Sequence, residues 1–407
     1  MKQSFKTISF LAAAGLAAVG LLGLMACSGD KPTQLGISQP GASPSPVASA
    51  TPAEIPAVLA PVPARFRRTL AGTIDGKHAV EMEINRNQTE ADQLWGSYRY
   101  KKIQKKSLSL QGKLGSEGNV ELVETDENGK ETGVFNGKLV MEVRGEDSRL
   151  KFVGNWKKSK TDSKSLPFEL AETRFDLGGM RLVLKEQNEE NNKQKLTIDT
   201  AYPQLAGGDA VRAETFNKAV SEFVTKQTAE FKKQHKADLA EMAKTAADSA
   251  NDANNERPGY ALEISYHTPY ADKNVVSLLV WSYQFTGGAH GNSFSTTFNY
   301  DLNSGRMLKL ADLFQPNSGH LKVISAYCVA TLTKQLGADA DSNWLKEGAG
   351  PKTDNYDSWN ITPDGLQITF DAYQVAAYAY GPQEVIVPYS ALKAIIKPDG
   401  VLAAFIK

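Results

Sequence analysis

Polar and apolar residues alternate with a period of two through much of residues 65–175. In the stretch HAVEMEI, the apolar side chains of Val80, Met82 and Ile84 are separated by polar ones, which is typical of a strand with one buried face. About eight such stretches follow one another with short glycine-containing turns between them, and no helical pattern interrupts them. The pattern predicts an all-β meander or a small closed barrel.

Aromatic residues supply material for the interior of this β region, and two uses of them remain open. They either fill the barrel or line a cavity for a small apolar ligand, because an eight-stranded barrel is wide enough for both. The residues concerned are Trp95, Tyr98, Tyr100, Phe135, Phe152 and Trp156.

Residues 180–407 combine the periodicities of strands and helices. Residues 211–250 are rich in Ala, Glu and Lys, and apolar residues recur at helical spacing over residues 216–224, which predicts one long helix. Beyond Phe231 the apolar stripe ends, so we expect the rest of this helix to project into solvent. Strand-like segments precede and follow it, and shorter helices are predicted over residues 318–336 and 389–396. We therefore expect an α+β domain, with an antiparallel sheet and helices packed against it.

The amino-terminal residues have the pattern of an exported protein. Residues 1–26 carry two lysines ahead of a continuous apolar stretch, which indicates a secretory signal peptide. The stretch ends at Cys27 in a sequence that resembles the lipobox of bacterial lipoproteins, in which the cysteine receives the lipid. Residues 27–64 are rich in Pro, Ala and Ser and predict a disordered tether. The resemblance implies a cell-envelope protein anchored in a membrane through Cys27; in a Gram-negative cell, Ser28 favours the outer membrane, facing the periplasm or the surface.

Charge and cysteine content exclude two classes of protein. The 46 basic and 46 acidic side chains give a formal net charge of zero, which removes the electrostatic argument for a nucleic-acid partner. The chain has two cysteines, too few for a disulfide framework. Cys328 falls on the apolar stripe of a predicted helix, so we expect a buried, unpaired thiol.

Two segments offer candidate binding residues. A glycine-rich loop between two predicted strands carries a histidine, and glycines there let a partner approach the main chain. Tyrosines further along the chain are suited to stacking on sugar rings or on a protein partner. Two alternatives remain open. The loop serves only to close its hairpin. The tyrosines lie on a predicted strand over residues 366–378 and on its continuation, and they serve as core and rim residues there. The candidates are Gly287, Gly288, His290, Gly291, Tyr373, Tyr378 and Tyr380.

An ordered set of motifs surrounds these residues. They are Tyr283, Gly287–Gly291, Tyr300–Leu302, Gly305, Leu310–Phe314, Trp359–Asn360, Asp364–Leu366, Phe370, Tyr373–Ala376, Tyr378, Gly381 and Val385–Pro388. The set resembles the extracytoplasmic α+β domain shared by the anti-sigma factor RsiV and the accessory region of the peptidoglycan deacetylase PdaC. In RsiV this domain binds lysozyme, so the resemblance implies a binding domain. The sigma-factor role does not carry over, because a lipoprotein signal stands where RsiV has a transmembrane helix, and no region is left for PdaC's separate catalytic domain.

Motifs for catalysis are missing from the sequence. It has no HExxH metal motif, no GxSxG nucleophile elbow and no phosphate-binding loop, and we predict no metal or cofactor. We expect a lipid-anchored envelope protein that binds a lysozyme-like muramidase or peptidoglycan, and a non-enzymatic role is favoured over an enzymatic one. One alternative is a hydrolase of cell-wall glycans or esters that uses His290 with Asp312, or with Asp301, as acid/base groups. Another is a carrier of a small apolar ligand in the barrel.

Overall fold

The computed structural model describes residues 58–63, 66–86, 92–101, 108–126, 128–144, 147–248 and 259–406. The predicted signal peptide, the lipidation site Cys27 and most of the predicted tether lie outside the described residues. The end of that tether forms the short strand β1, Val58–Ala60, which pairs with Met141–Val143.

The first folded region is a closed antiparallel barrel of eight strands. Each strand pairs with its neighbour in sequence, and the last also pairs with the first, so the sheet has no open seam. This confirms the predicted barrel. The strands are β2 (Phe66–Ile74), β3 (His78–Arg86), β4 (Gln93–Tyr100), β5 (Leu108–Leu114), β6 (Asn119–Thr125), β7 (Glu131–Arg144), β8 (Asp147–Lys157) and β9 (Leu166–Glu172).

Side chains fill the barrel interior. The rings of Tyr98, Phe135, Phe152 and Phe168 contact one another, with centroid separations of 4.7 to 6.5 Å. Trp95 was expected among them but is 40% exposed. Leu94 and Tyr98 are the inward-facing residues of β4, and the alternation of side chains along the strand turns Trp95 outward.

A six-stranded sheet and a long helix form the centre of the second region. Its strands lie in sequence order: β10 (Met180–Asn191), β11 (Leu196–Gly207), β12 (Tyr260–Ala271), β13 (Val275–Phe285), β14 (Asn292–Asp301) and β15 (Arg306–Met307). All neighbours are antiparallel except β11 and β12, because α1 (Ala210–Asp248) crosses over between them.

Helix α1 packs on one face of this sheet through Phe216, Val220, Val224 and Phe231. Contact with the sheet continues for one further turn beyond the predicted end of the apolar stripe. His235 is 3% exposed, its ring centroid lies 4.7 Å from that of Tyr260, and its Nε2 is 3.1 Å from the carbonyl of Gln194. A histidine can close the stripe because its flat ring packs while its nitrogen reaches a main-chain group.

The carboxy-terminal residues add a second, three-stranded sheet. Its strands are β16 (Trp359–Ile361), β17 (Leu366–Phe370) and β18 (Gln383–Val387), packed with helices α2 (His320–Leu336), α3 (Ser342–Gly348) and α4 (Tyr389–Leu392). Cys328 is fully buried in this core, as predicted. Helix α4 is shorter than expected because Ile396 leaves the helix to form a β-bridge with Phe314. The barrel followed by an α+β region confirms the predicted fold class.

Buried polar groups join these parts. The Arg68 guanidinium, 6% exposed, lies 2.9 Å from the Glu172 carboxylate and over the ring of Tyr266, so it links the barrel to β12. Between the two sheets, Ser277 Oγ donates to Asn299 and accepts from Asn360. These contacts align the barrel, the central sheet and the carboxy-terminal sheet.

Candidate functional site

The glycine-rich loop between β13 and β14 holds the first group of predicted binding residues. Gly287 has a φ of +81°, which residues with side chains rarely adopt. A Cβ on Gly291 would lie 2.3 Å from ring atoms of Tyr283, so the absence of a side chain lets the loop close against that ring. Gly288 has open space around it and no positive φ, so local geometry does not require glycine there.

The rings of His290 and Tyr378 are in contact although the two residues lie 88 positions apart in the chain. Their rings stack with centroids 3.9 Å apart and planes 21° from parallel. The Tyr378 hydroxyl donates to the Gly291 carbonyl at 2.6 Å, and His290 Nδ1 lies 3.0 Å from the same oxygen. A carbonyl oxygen only accepts, so Nδ1 carries the proton in this hydrogen bond. The predicted loop and one predicted tyrosine therefore form a single structural unit.

Tyr373 extends this stack outward. Its ring centroid lies 5.4 Å from that of Tyr378, and 54% of the residue is exposed. Its φ is +71°, a strained value for a residue with a bulky side chain, at a cost of about 1 kcal/mol. The indole Nε1 of Trp344 donates to the Tyr373 carbonyl at 2.9 Å and holds the main chain in this turn.

Asp371 and Gln374 form the base of the same turn. Asp371 Oδ1 accepts hydrogen bonds from the Ser295 main-chain N–H and hydroxyl, at 3.0 and 2.6 Å, and so attaches the turn to β14. The Gln374 side chain donates to the carbonyls of Gly348 and Asn355. Burial raises the pKa of the Asp371 carboxyl, and the Ser295 hydrogen bonds oppose that rise.

The predicted strand over residues 366–378 is wrong in its second half. Strand β17 ends at Phe370, a turn follows from Asp371, and Tyr378 begins a short 3-10 helix. The left-handed conformation of Tyr373 breaks the extended backbone. The tyrosines therefore lie on a loop and not on a strand that would place them in the core and at its rim.

Tyr380 stands apart from the stack. It is 43% exposed, and a hydrogen bond to the Asp339 side chain is the main cause that raises its pKa. Three residues outside the predicted set support the site: Tyr283 under the loop, Trp344 on the Tyr373 carbonyl and Asp371 under the turn. Tyr283 begins the ordered set of motifs and lies four residues before Gly287, and both facts are signals in the sequence that could have included it.

The acid/base pairs considered for a hydrolase are not brought together. His290 precedes β14 and Asp301 ends it, so the ten-residue strand holds them about 30 Å apart. Asp312 lies near the Asp301 end, where Arg306 and the Lys309 N–H bind its carboxylate at 3.1 and 2.9 Å. Burial raises the pKa of Asp312, but these partners outweigh burial and hold it below its usual value.

Two kinds of feature are absent from the described part of the chain. Within it, no group of three or more His, Cys, Asp or Glu side chains is arranged to hold a metal ion. Among its helices, none has the length and apolar character needed to cross a bilayer.

Polar contacts near one end of the barrel bind a buried carboxylate. Glu124 is 3% exposed and accepts hydrogen bonds from the Tyr98 hydroxyl, at 2.6 Å, and from Trp156 Nε1, at 3.0 Å. Thr132 donates to the other oxygen. Burial, followed by the charge of Glu124, raises the pKa of Tyr98 far above its usual value. Together with the ring contacts inside the barrel, this network favours filling by the protein's own side chains.

Comparisons with known proteins find similarity in the α+β region. Residues 189–293 match the family described as deacetylase PdaC, and residues 311–390 match DUF3298, a family of unknown function. The peptidoglycan-N-acetylmuramic acid deacetylase PdaC of Bacillus subtilis is 30% identical over 212 residues, which are 51% of this chain and 45% of that protein. The immunogenic protein MPT64 of Mycobacterium tuberculosis is 25% identical over 140 residues, which are 34% of this chain and 60% of that protein.

This chain therefore spans about half the length of the curated relatives that it matches. Among solved structures, a DUF3298 family member from Bacteroides fragilis aligns with 57% of this chain and 99% of its own, at 20% identity and a TM-score of 0.44. A DUF3298 family protein from Pseudomonas aeruginosa PAO1 aligns with 54% and 94%, at 19% identity and a TM-score of 0.33. By the family matches alone, the α+β region of this chain contains a PdaC-like and a DUF3298-like part.

Proposed function

We propose that this chain is a cell-wall-associated binding protein that recognises peptidoglycan through the surface formed by the 287–291 loop, Tyr373 and Tyr378. The observation that carries the proposal is the stack of His290 on Tyr378 with Tyr373 beside it. Exposed aromatic rings held in fixed positions are suited to binding because little conformational freedom is lost when a ligand docks. The PdaC-like part adds support, since the relative from Bacillus subtilis is named for a peptidoglycan sugar as its substrate.

The proposal places the protein in the cell envelope, anchored through a lipid on Cys27. The part of the predicted tether that precedes β1, residues 27–57, then leaves the folded part room to reach the wall. A lysozyme-like muramidase is the competing partner. The anchored chain would lack residues 1–26 and the two lysines in them, and its formal net charge of −2 provides little overall electrostatic attraction to a basic lysozyme. We therefore favour peptidoglycan.

Co-sedimentation with insoluble peptidoglycan tests the proposal. The full-length chain, purified in mild detergent, is expected to pellet with peptidoglycan, and Tyr378→Ala should pellet much less. Lys160→Ala, an exposed change on the barrel, is the control and should pellet like the parent. Absence of saturable pelleting by the parent would reject peptidoglycan as the partner. A parallel titration with lysozyme examines the competing partner.

A hydrolase of the wall is the second candidate, because the PdaC relative is named as a deacetylase. Its acid/base groups would not be His290 with Asp312, given their separation. Incubation of peptidoglycan with the full-length chain, followed by separation of the muropeptides, tests it. If the muropeptides are unchanged after incubation with each of several added divalent metal ions, this candidate is rejected.

A further inference from the structure

The outer ring of the stack is held in an exposed position at a conformational cost. Tyr373 keeps a φ of +71° and leaves 54% of its surface exposed, although a smaller polar residue would fit such a turn better. Trp344 holds its carbonyl, and Asp371 and Gln374 attach the turn to its neighbours. Strain that is maintained by surrounding contacts is characteristic of functional positions.

The inner part of the stack leaves one polar atom available. His290 is exposed, and its Nδ1–H is committed to the Gly291 carbonyl. The neutral ring therefore has its lone pair on Nε2, where it accepts a hydrogen bond. Among the hydrogen bonds found in the described residues, none uses this atom.

These two features lie close enough to serve one ligand. The ring centroid of Tyr378 lies 5.4 Å from that of Tyr373 and 3.9 Å from that of His290. The rings of Tyr373 and His290 are therefore no further apart than the length of a disaccharide. A flat, exposed aromatic face binds the apolar C–H face of a pyranose ring. A fixed acceptor beside it binds a sugar hydroxyl or an acetamido N–H. An extended peptide would instead require an open strand edge or an apolar pocket.

We propose that Tyr373 and His290 form a saccharide subsite for an N-acetylhexosamine chain. The exposed face of Tyr373 stacks on one sugar, and His290 Nε2 accepts a hydrogen bond from that sugar or the next. The inference rests on the proposed peptidoglycan binding and specifies its chemistry: the glycan is recognised, and the stem peptide is not.

Calorimetric titration of the full-length chain with the tetrasaccharide of N-acetylglucosamine tests this subsite. Saturable binding is expected for the parent and for Tyr373→Phe, which keeps the ring. Tyr373→Asn removes the ring but suits a positive φ, so it should fold at least as well as the parent and bind at least tenfold more weakly. His290→Phe keeps a ring on Tyr378 but loses both the Nε2 acceptor and the Nδ1–H donor to Gly291, and should bind about tenfold more weakly.

The same proteins, assayed for pelleting with peptidoglycan, separate this inference from the proposed function. If the parent pellets with peptidoglycan but ignores the tetrasaccharide and is displaced by free stem peptide, the subsite is wrong and peptidoglycan binding stands. Equal affinity of Tyr373→Asn and the parent for the tetrasaccharide would also overturn the subsite. If the parent binds neither peptidoglycan nor the tetrasaccharide, both proposals fail.

Discussion

The hydroxyl of Tyr378 donates a hydrogen bond to the main-chain carbonyl of Gly291 at 2.6 Å and so ties the 3-10 helix after β17 to the loop before β14. The same carbonyl accepts from His290 Nδ1, and the two aromatic rings stack above it. One carbonyl oxygen therefore organises both predicted binding segments.

Removing this hydroxyl should loosen the site without unfolding the protein. Tyr378→Phe keeps the ring stack and loses one hydrogen bond, so we expect a loss of about 1 kcal/mol in the free energy of unfolding. Tyr378→Ala also loses the ring contacts, and we expect a loss of about 2 to 3 kcal/mol. Urea denaturation of the three proteins measures both values. Equal stability of the parent and Tyr378→Ala would show that the stack contributes nothing to folding.

Two glycines of one loop provide a matched comparison. Gly291→Ala places a Cβ against the Tyr283 ring, which must move, and we expect a loss of about 1 to 3 kcal/mol together with weaker peptidoglycan binding. Gly288→Ala meets open space and should change stability by less than about 0.5 kcal/mol. Thermal unfolding and pelleting with peptidoglycan compare them. Similar effects of the two changes would mean that close contact with Tyr283 is unimportant.

Asp371 should make the folded protein less stable as pH rises. Burial raises the pKa of its carboxyl above the ordinary value of 3.8, so the folded state holds this proton to higher pH than the unfolded state does. The stabilising contribution is complete below the unfolded pKa and is lost as pH rises through the folded pKa. Asp371→Asn keeps the oxygen that accepts from Ser295 and does not titrate.

We therefore expect the parent to lose stability relative to Asp371→Asn as pH increases from about 4 towards neutrality. Urea denaturation at a series of pH values measures the difference between the two proteins. A difference that does not change with pH would contradict the raised pKa.

The buried pair of Arg68 and Glu172 should stabilise the junction between the barrel and the α+β region. Arg68→Met removes the guanidinium that lies 2.9 Å from the Glu172 carboxylate, and we expect a loss of about 2 to 4 kcal/mol, because Glu172 remains partly exposed. Adding Glu172→Gln should recover part of this loss. Lys160→Met breaks an exposed pair with Glu121 and should cost less than about 1 kcal/mol. Losses of the same size in Arg68→Met and Lys160→Met would contradict the role of burial.

Thiol counting tests both cysteine predictions in one experiment. Burial raises the pKa of the Cys328 thiol to about 12, so a thiol reagent should not react with it in the folded protein. After denaturation, protein isolated from bacterial membranes should release one reactive thiol per chain if Cys27 carries a lipid on its sulfur. Cys328→Ser is the control and should release none. Two reactive thiols in the denatured parent would refute lipidation of Cys27.

Alternating residues were sufficient to predict an all-β region of about eight strands, since a period of two specifies which face of each strand is buried. The stripe on α2 placed Cys328 in the core for the same reason: the neighbours that decide these positions are two to four residues away. The separate carboxy-terminal sheet and the parallel pairing of β11 with β12 were not predictable in this way. They depend on how complete strands and helices, distant in the chain, pack against one another. Closure into a barrel rather than an open meander was likewise decided by the pairing of β2 with β9.

The sequence by itself determined the type of each long element and the residue types of the candidate site. Only the tertiary structure decided that His290 stacks on Tyr378, that Tyr373 leaves its expected strand and turns outward, and that Asp301 and Asp312 lie far from the loop. The physical reason is the distance along the chain between the residues that interact. Local periodicity follows from backbone geometry, whereas contacts between distant segments are selected by the burial and hydrogen bonding of the whole fold.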